Sequence, residues 1–187
     1  MKTIITRRAF LGTGLAAGGL LALPSAARAT ATPAGVTPLS RRLRLYNTHT
    51  GERLDVTYFE QGVYHADALH EIDFILRDHR ANAAAPMARG VLDLVSDIAR
   101  AVDAPGEVHI ISGYRSPATN AMLRKTGGGG VAKRSLHMDG IAIDIRIPGR
   151  DLHKVRAAAW SLQRGGVGFY AKENFVHVDT GRVRHWG

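Results

Sequence analysis

One ten-residue stretch restricts the folds open to this chain more than any other: Ser135-Leu-His-Met-Asp-Gly-Ile-Ala-Ile-Asp144. Ile141, Ile143 and Ile145 alternate with Ala142 and Asp144, which predicts a strand with one apolar face and one small or acidic face. Gly140 just before it allows a turn that folds His137 back over the acidic face. A shorter echo, Phe175-Val-His-Val-Asp179, places His177 and Asp179 two residues apart and so on one side of a second strand. His137 with Asp144 supplies half of a tetrahedral zinc site, and His177 adds a third ligand. Two histidines, one aspartate and an open position for water describe a catalytic rather than a closed structural zinc centre. The structural alternatives are histidines that only hydrogen-bond within their strands and an Asp144 paired with a buried arginine.

The remaining elements follow from periodicity. Arg42–Asn47 and Arg53–Phe59 alternate with period two around Thr48-His-Thr-Gly51, which predicts a hairpin. Leu69, Ile72, Ile75 and Leu76 recur at helical spacing within 65–80, and Val91, Leu94, Val95, Ile98 and Val102 define a second helix starting near Pro86. His65 and His70 lie on the polar side of the first helix and are read as surface residues. Glu107–Ser112 reads as a strand with His109 on its solvated face. Pro117 opens a third helix and Asp151 caps a fourth, which Gly165 and Gly166 end. A closing hairpin, 167–170 with 174–179, delivers His177. Local strand pairing predicts an α+β domain, an antiparallel sheet with helices packed on one side.

Several classes are excluded. Gly127–Gly130 is followed by no Gly-Lys-Ser/Thr, so it is read as a loop beside the site rather than a phosphate cradle. No Gly-x-Ser-x-Gly or Ser-x-x-Lys is present, which argues against a serine hydrolase. The absence of cysteine removes disulfides and thiolate metal sites. Residues 1–29 join Arg7-Arg8-Ala-Phe-Leu11 to a glycine-diluted apolar run ending Ala27-Arg-Ala29, the pattern of a twin-arginine signal peptide rather than a membrane span. Residues 30–40 read as a flexible linker and 41–187 as the functional domain. Four of the nine net positive charges sit in the leader, so the mature 158 residues carry +5. That basic surface suits an anionic wall polymer, and export disfavours nucleic acid. No stable membrane span remains after cleavage.

Ser135-x-His137-x-x-Gly140-x-Ala142-x-Asp144 is followed by His177. With Ser112-Gly-Tyr-Arg-Ser-Pro117 and Gly165-Gly-Val-Gly-Phe-Tyr170, it resembles the signature of the zinc peptidases grouped with lysostaphin, the D-alanyl-D-alanine metallopeptidases and the hedgehog domain. The chain is most similar to the exported YcbK-like subgroup, from about Arg42 to Trp186. The resemblance implies zinc on His137, Asp144 and His177, and a hedgehog/D-Ala-D-Ala-peptidase-like fold. It also implies a peptidase acting on peptidoglycan stem peptides or their cross-links. It implies an active-site role for Arg115 at the oxyanion, against the plainer reading of an ion pair. The relatives place a histidine two before the last ligand or a glutamate three before it, whereas this chain has Phe175 and Asn174 there. Alternation makes Asp179 the substitute general base, with Glu173 the second choice. A partner that orients His177 is the other reading of Asp179. The missing base also admits a non-catalytic, zinc-containing wall-binding or signalling module.

Overall fold

The computed structural model describes residues 39–126 and 131–187. The leader expected at 1–29, the linker as far as 38 and the glycine run 127–130 lie outside the described residues. In chain order the elements are β1 (Ser40–Asn47), β2 (Arg53–Glu60), β3 (Val63–Tyr64), α1 (Ala66–Ile75), α2 (Arg89–Ala101), β4 (Val108–Ser112) and α3 (Pro117–Thr126). A 3₁₀ turn (Leu136–Asp139), β5 (Ala142–Arg146), α4 (Leu152–Ser161), β6 (Gly166–Tyr170), β7 (Phe175–Asp179) and β8 (Arg184–Trp186) complete the chain.

The strands form one eight-stranded sheet in the order β3-β2-β1-β4-β5-β7-β6-β8. The domain is α+β, but the sheet is mixed, not antiparallel as alternation suggested. β1 pairs with β4 in parallel, and so does β6 with β8. Both follow from connectivity. β4 returns to the edge of β1 only after α1 and α2, and a long crossover of this kind permits parallel entry. β8 runs opposite to β7 and reaches past it to the free edge of β6, so it shares the direction of β6.

Alternation sorts the two faces. Leu43 and Leu45, Val108 and Ile110, Ile143 and Ile145, and Val176 and Val178 enter one buried cluster with Val91, Leu94, Val95 and Ile98 of α2 and Val155 and Ala159 of α4. α2 lies against β1, β7 and α4, with its i, i+3, i+4, i+7 apolar stripe turned to the sheet. Residues on the other face of β5 and β7 are left to build a site. The second helix begins at Arg89, later than Pro86, because tertiary hydrogen bonds hold the approach extended. The Met87 amide donates to Asp73 Oδ1 at 2.8 Å and the Ala88 amide to the Gly140 carbonyl at 2.9 Å.

That second bond ties α2 to the turn that carries His137. Gly140 sits at φ 68°, and an added Cβ would lie 2.4 Å from the Pro86 carbonyl oxygen. A side chain therefore meets both left-handed strain and a backbone clash. Gly140→Ala is expected to lower stability by about 2 kcal/mol or more, read as a lower urea midpoint at unchanged m-value.

Candidate metal centre

Three side chains from separate elements converge on the open face. Asp144 stands in β5 opposite His177 in β7, as register partners. His137 arrives from the 3₁₀ turn, which Gly140 ends in the left-handed region. His177 Nδ1 lies 2.8 Å from Asp144 Oδ1. His137 Nε2 lies 3.3 Å from each of those atoms. These are the three donors singled out in the sequence, all nine-tenths or more buried.

The outer ring nitrogens are also held. His137 Nδ1 lies 2.8 Å from the Gly113 carbonyl, which fixes the proton there and leaves Nε2 as a lone-pair donor. His177 Nε2 lies 3.0 Å from Asp179 Oδ2, which in the same way fixes its proton and frees Nδ1. Two neutral imidazoles and a carboxylate, each aimed at one point and each anchored behind, form the donor set of a zinc site. The residues present fit the ion.

Charge explains the resting protonation. Burial opposes ionisation of Asp144, but His137 and His177 outweigh it and hold the carboxyl well below the usual range. Burial likewise opposes a charge on His177, yet its bonds to Asp144 and Asp179 raise it to about 9. A proton on His177 is thus favoured by the two carboxylates that flank its ring.

Asp179 does not face the donor point. It sits behind His177 with no exposed surface and accepts from the amides of Gly166 at 3.0 Å and Gly181 at 2.8 Å. The Arg184 guanidinium donates to its two oxygens at 3.1 and 2.8 Å. Burial raises its carboxyl pKa, and these donors together push it well below normal. Glu173 is exposed in the turn between β6 and β7.

Arg115 follows β4, and its backbone amide donates to the His137 carbonyl at 3.1 Å. Its guanidinium meets only Ser112 Oγ at 3.3 Å and Asn120 Oδ1 at 3.4 Å, with no carboxylate partner among the described residues. Burial lowers its pKa, and the nearby Asp144 offsets part of that. It is a half-buried cation beside the donor cluster, available to an anion.

Sequence reading missed Arg184, Trp186 and the Gly113 carbonyl. The Trp186 ring packs on His177 with centroids 5.3 Å apart, and its indole N–H donates to Tyr170 Oη at 3.0 Å. β8 is three residues long, too short for periodicity to mark, and a carbonyl carries no sequence signal. His65, which precedes α1, and His70, within it, are exposed and are not among the converging donors.

Among the described residues no helix is long and apolar enough to cross a membrane. Residues 35–186 match the family model described as Peptidoglycan L,D-endopeptidase MepK. The chain is 41% identical over 180 residues to Peptidoglycan L,D-endopeptidase MepK of Escherichia coli (strain K12), covering 96% of each chain. It is 39% identical over 181 residues to the Haemophilus influenzae relative named "Probable peptidoglycan L,D-endopeptidase MepK", covering 96% of this chain and 95% of the other. No solved structure matches the chain.

Proposed function

The chain belongs to the peptidoglycan L,D-endopeptidase MepK family, and from that membership we propose a zinc-dependent endopeptidase that hydrolyses amide bonds in peptidoglycan stem peptides or their cross-links. The observation that carries the reading is the convergence of His137 Nε2, Asp144 Oδ1 and His177 Nδ1 to within 3.3 Å of one another. Zinc bound there supplies a Lewis acid that acidifies a bound water and polarises the scissile carbonyl.

The chain's own residues do the rest. His137 and His177 present lone pairs because the Gly113 carbonyl and Asp179 take the opposite ring protons. Asp179 orients His177 rather than accepting a proton from water, since its oxygens are already occupied by the ring's own Nε2 and by four further N–H groups behind it. Arg115, without a carboxylate of its own, donates to the oxyanion as the tetrahedral species forms. Trp186 and the core beneath β5 and β7 exclude water from the rear of the site. Export through the twin-arginine leader and action in the periplasm complete the proposal. The charge excess of the mature chain suits an anionic wall polymer.

Mature protein incubated with wall digests is expected to release new peptide fragments, resolved by mass, that vanish on chelation and return with added zinc. Binding of the digest without any cleavage would instead identify a wall-binding module, the reading favoured by Phe175 and Asn174 at the positions where relatives keep a base.

A further inference from the structure

A second group of charged side chains lies beside the metal centre and takes no part in holding the ion. Arg77, Asp78, His79 and Arg80, just after α1, line one recess together with Gly113 and Arg115 of the turn that follows β4. The Gly113 carbonyl also meets His137 Nδ1, and the Arg115 amide donates to the His137 carbonyl, so the recess adjoins the metal site. Three of the four residues after α1 have partners. The Arg77 guanidinium donates to the two Glu52 oxygens at 2.8 and 3.1 Å and to Asn82 Oδ1 at 2.9 Å. Asp78 is buried; its Oδ1 accepts from the amides of Arg80 at 3.0 Å and Ala81 at 3.3 Å, and its Oδ2 from the Ser116 amide at 2.9 Å. It thereby fastens the loop that carries Arg80 to the turn that carries Arg115. The His79 ring stacks on that of His49 at 4.1 Å, and His49 Nε2 lies 3.0 Å from the Ile111 carbonyl.

Arg80 is the exception. Its guanidinium meets no carboxylate or carbonyl among the described residues, only its amide being bonded. Arg80 and His49 are both exposed, so the recess is open to solvent on their side. Arg115, half-buried within it, also lacks a carboxylate partner. Two unpaired guanidiniums thus share a recess with one carboxylate, Asp78, whose oxygens are already taken by backbone amides. Burial lowers the Arg115 pKa most and Asp144 opposes it, but the charge of Arg80 lowers it further, so the two cations are close enough to repel. Like charges gathered without a counter-ion attract an anion. A guanidinium stays charged and only donates, so the anion that fits presents oxygens. The space inside is small, about 10 Å³, which holds one oxygen of a group reaching in from solvent rather than a side chain.

We propose that Arg80 is a specificity-determining residue that binds a carboxylate carried by the peptide substrate close to its scissile amide, at the open side of the recess whose inner cation is Arg115. This rests on the peptidase reading, which brings the scissile carbonyl to the metal centre. Arg115 then serves the reacting carbonyl, and Arg80 selects which peptide is seated there.

The test is a binding cycle that needs no turnover. Stem peptide purified from wall digests, and the same peptide with its carboxylates converted to carboxamides, are titrated calorimetrically into zinc-loaded wild type, Arg80→Gln and Lys154→Gln. Lys154 is exposed on α4 and controls for the loss of one positive charge. A charge-assisted pair of this kind predicts that Arg80→Gln shrinks the penalty of amidation roughly tenfold. Arg80→Lys should restore part of the preference, and Lys154→Gln should leave it as in wild type. Because Arg80 is exposed, Arg80→Gln should keep its zinc and its urea midpoint. The proposal is overturned if the penalty is the same in wild type and Arg80→Gln, or if Lys154→Gln shrinks it equally. It is overturned too if Arg80→Gln loses zinc or unfolds at lower urea, which would make Arg80 a structural residue. Absence of chelator-sensitive cleavage, by contrast, overturns the hydrolase reading and leaves the binding cycle legible.

Discussion

His137→Ala is expected to hold no stoichiometric zinc and to lose at least about a thousandfold in kcat/KM, because several kcal/mol of charge stabilisation at the reacting centre go with the ion. Of the three donors His137 gives the cleanest test. Its ring contributes to the cluster and to the Gly113 carbonyl, whereas removal of His177 would also strand Asp144 and Asp179. In His137→Ala the His177–Asp144 and His177–Asp179 contacts persist, so the metal-free fold should melt close to the metal-free wild type. Metal analysis with thermal melts in chelator checks both halves. A variant that keeps one zinc per chain and normal turnover would remove His137 from the site.

Asp179→Ala is expected to cost about 3–5 kcal/mol of stability, the range for breaking a buried charge pair by deleting one partner. It strands the Arg184 guanidinium and the amides of Gly166 and Gly181, all now satisfied by one fully buried carboxylate. It also frees the ring proton of His177, so zinc affinity should fall by about ten- to a hundredfold, as for other partners of metal-bound histidines. Asp179→Asn keeps the shape and one acceptor and should cost less on both counts. Denaturant unfolding gives the first quantity and competitive chelator titration the second. If zinc binds Asp179→Ala as tightly as wild type while turnover collapses, Asp179 is the proton acceptor after all.

How far the site was readable in advance depended on which question was asked. His137, Asp144 and His177 stood out because strand alternation and Gly140 fix the face each side chain takes, and face is the property that a period of two encodes. Alternation put Asp179 on the His177 side of its strand too, yet it is silent on which nitrogen of His177 the carboxylate meets. That choice is made by the Arg184 fork and by the close passage of Gly165 and Gly166 against Asp179, where added Cβ atoms would lie 1.8 and 2.3 Å from its oxygens. The hairpin of β1 and β2 and all four helices were legible from local pattern. The parallel entry of β4 beside β1 was not, because Val108–Ser112 alternates identically whichever way it runs. Only the intervening helices decide.

The sheet's two outermost members, β3 and β8, are only two and three residues long. A long bare margin would act as a template on which another chain could zipper its own backbone. β8 keeps one rim that short, whereas β3 pairs only with Phe59 and Glu60 and leaves Arg53–Thr57 of β2 as margin, where exposed Arg53 and Asp55 set charge against such pairing. Those charges, and no cysteine clamp, are what the chain sets against a second backbone pairing along that margin.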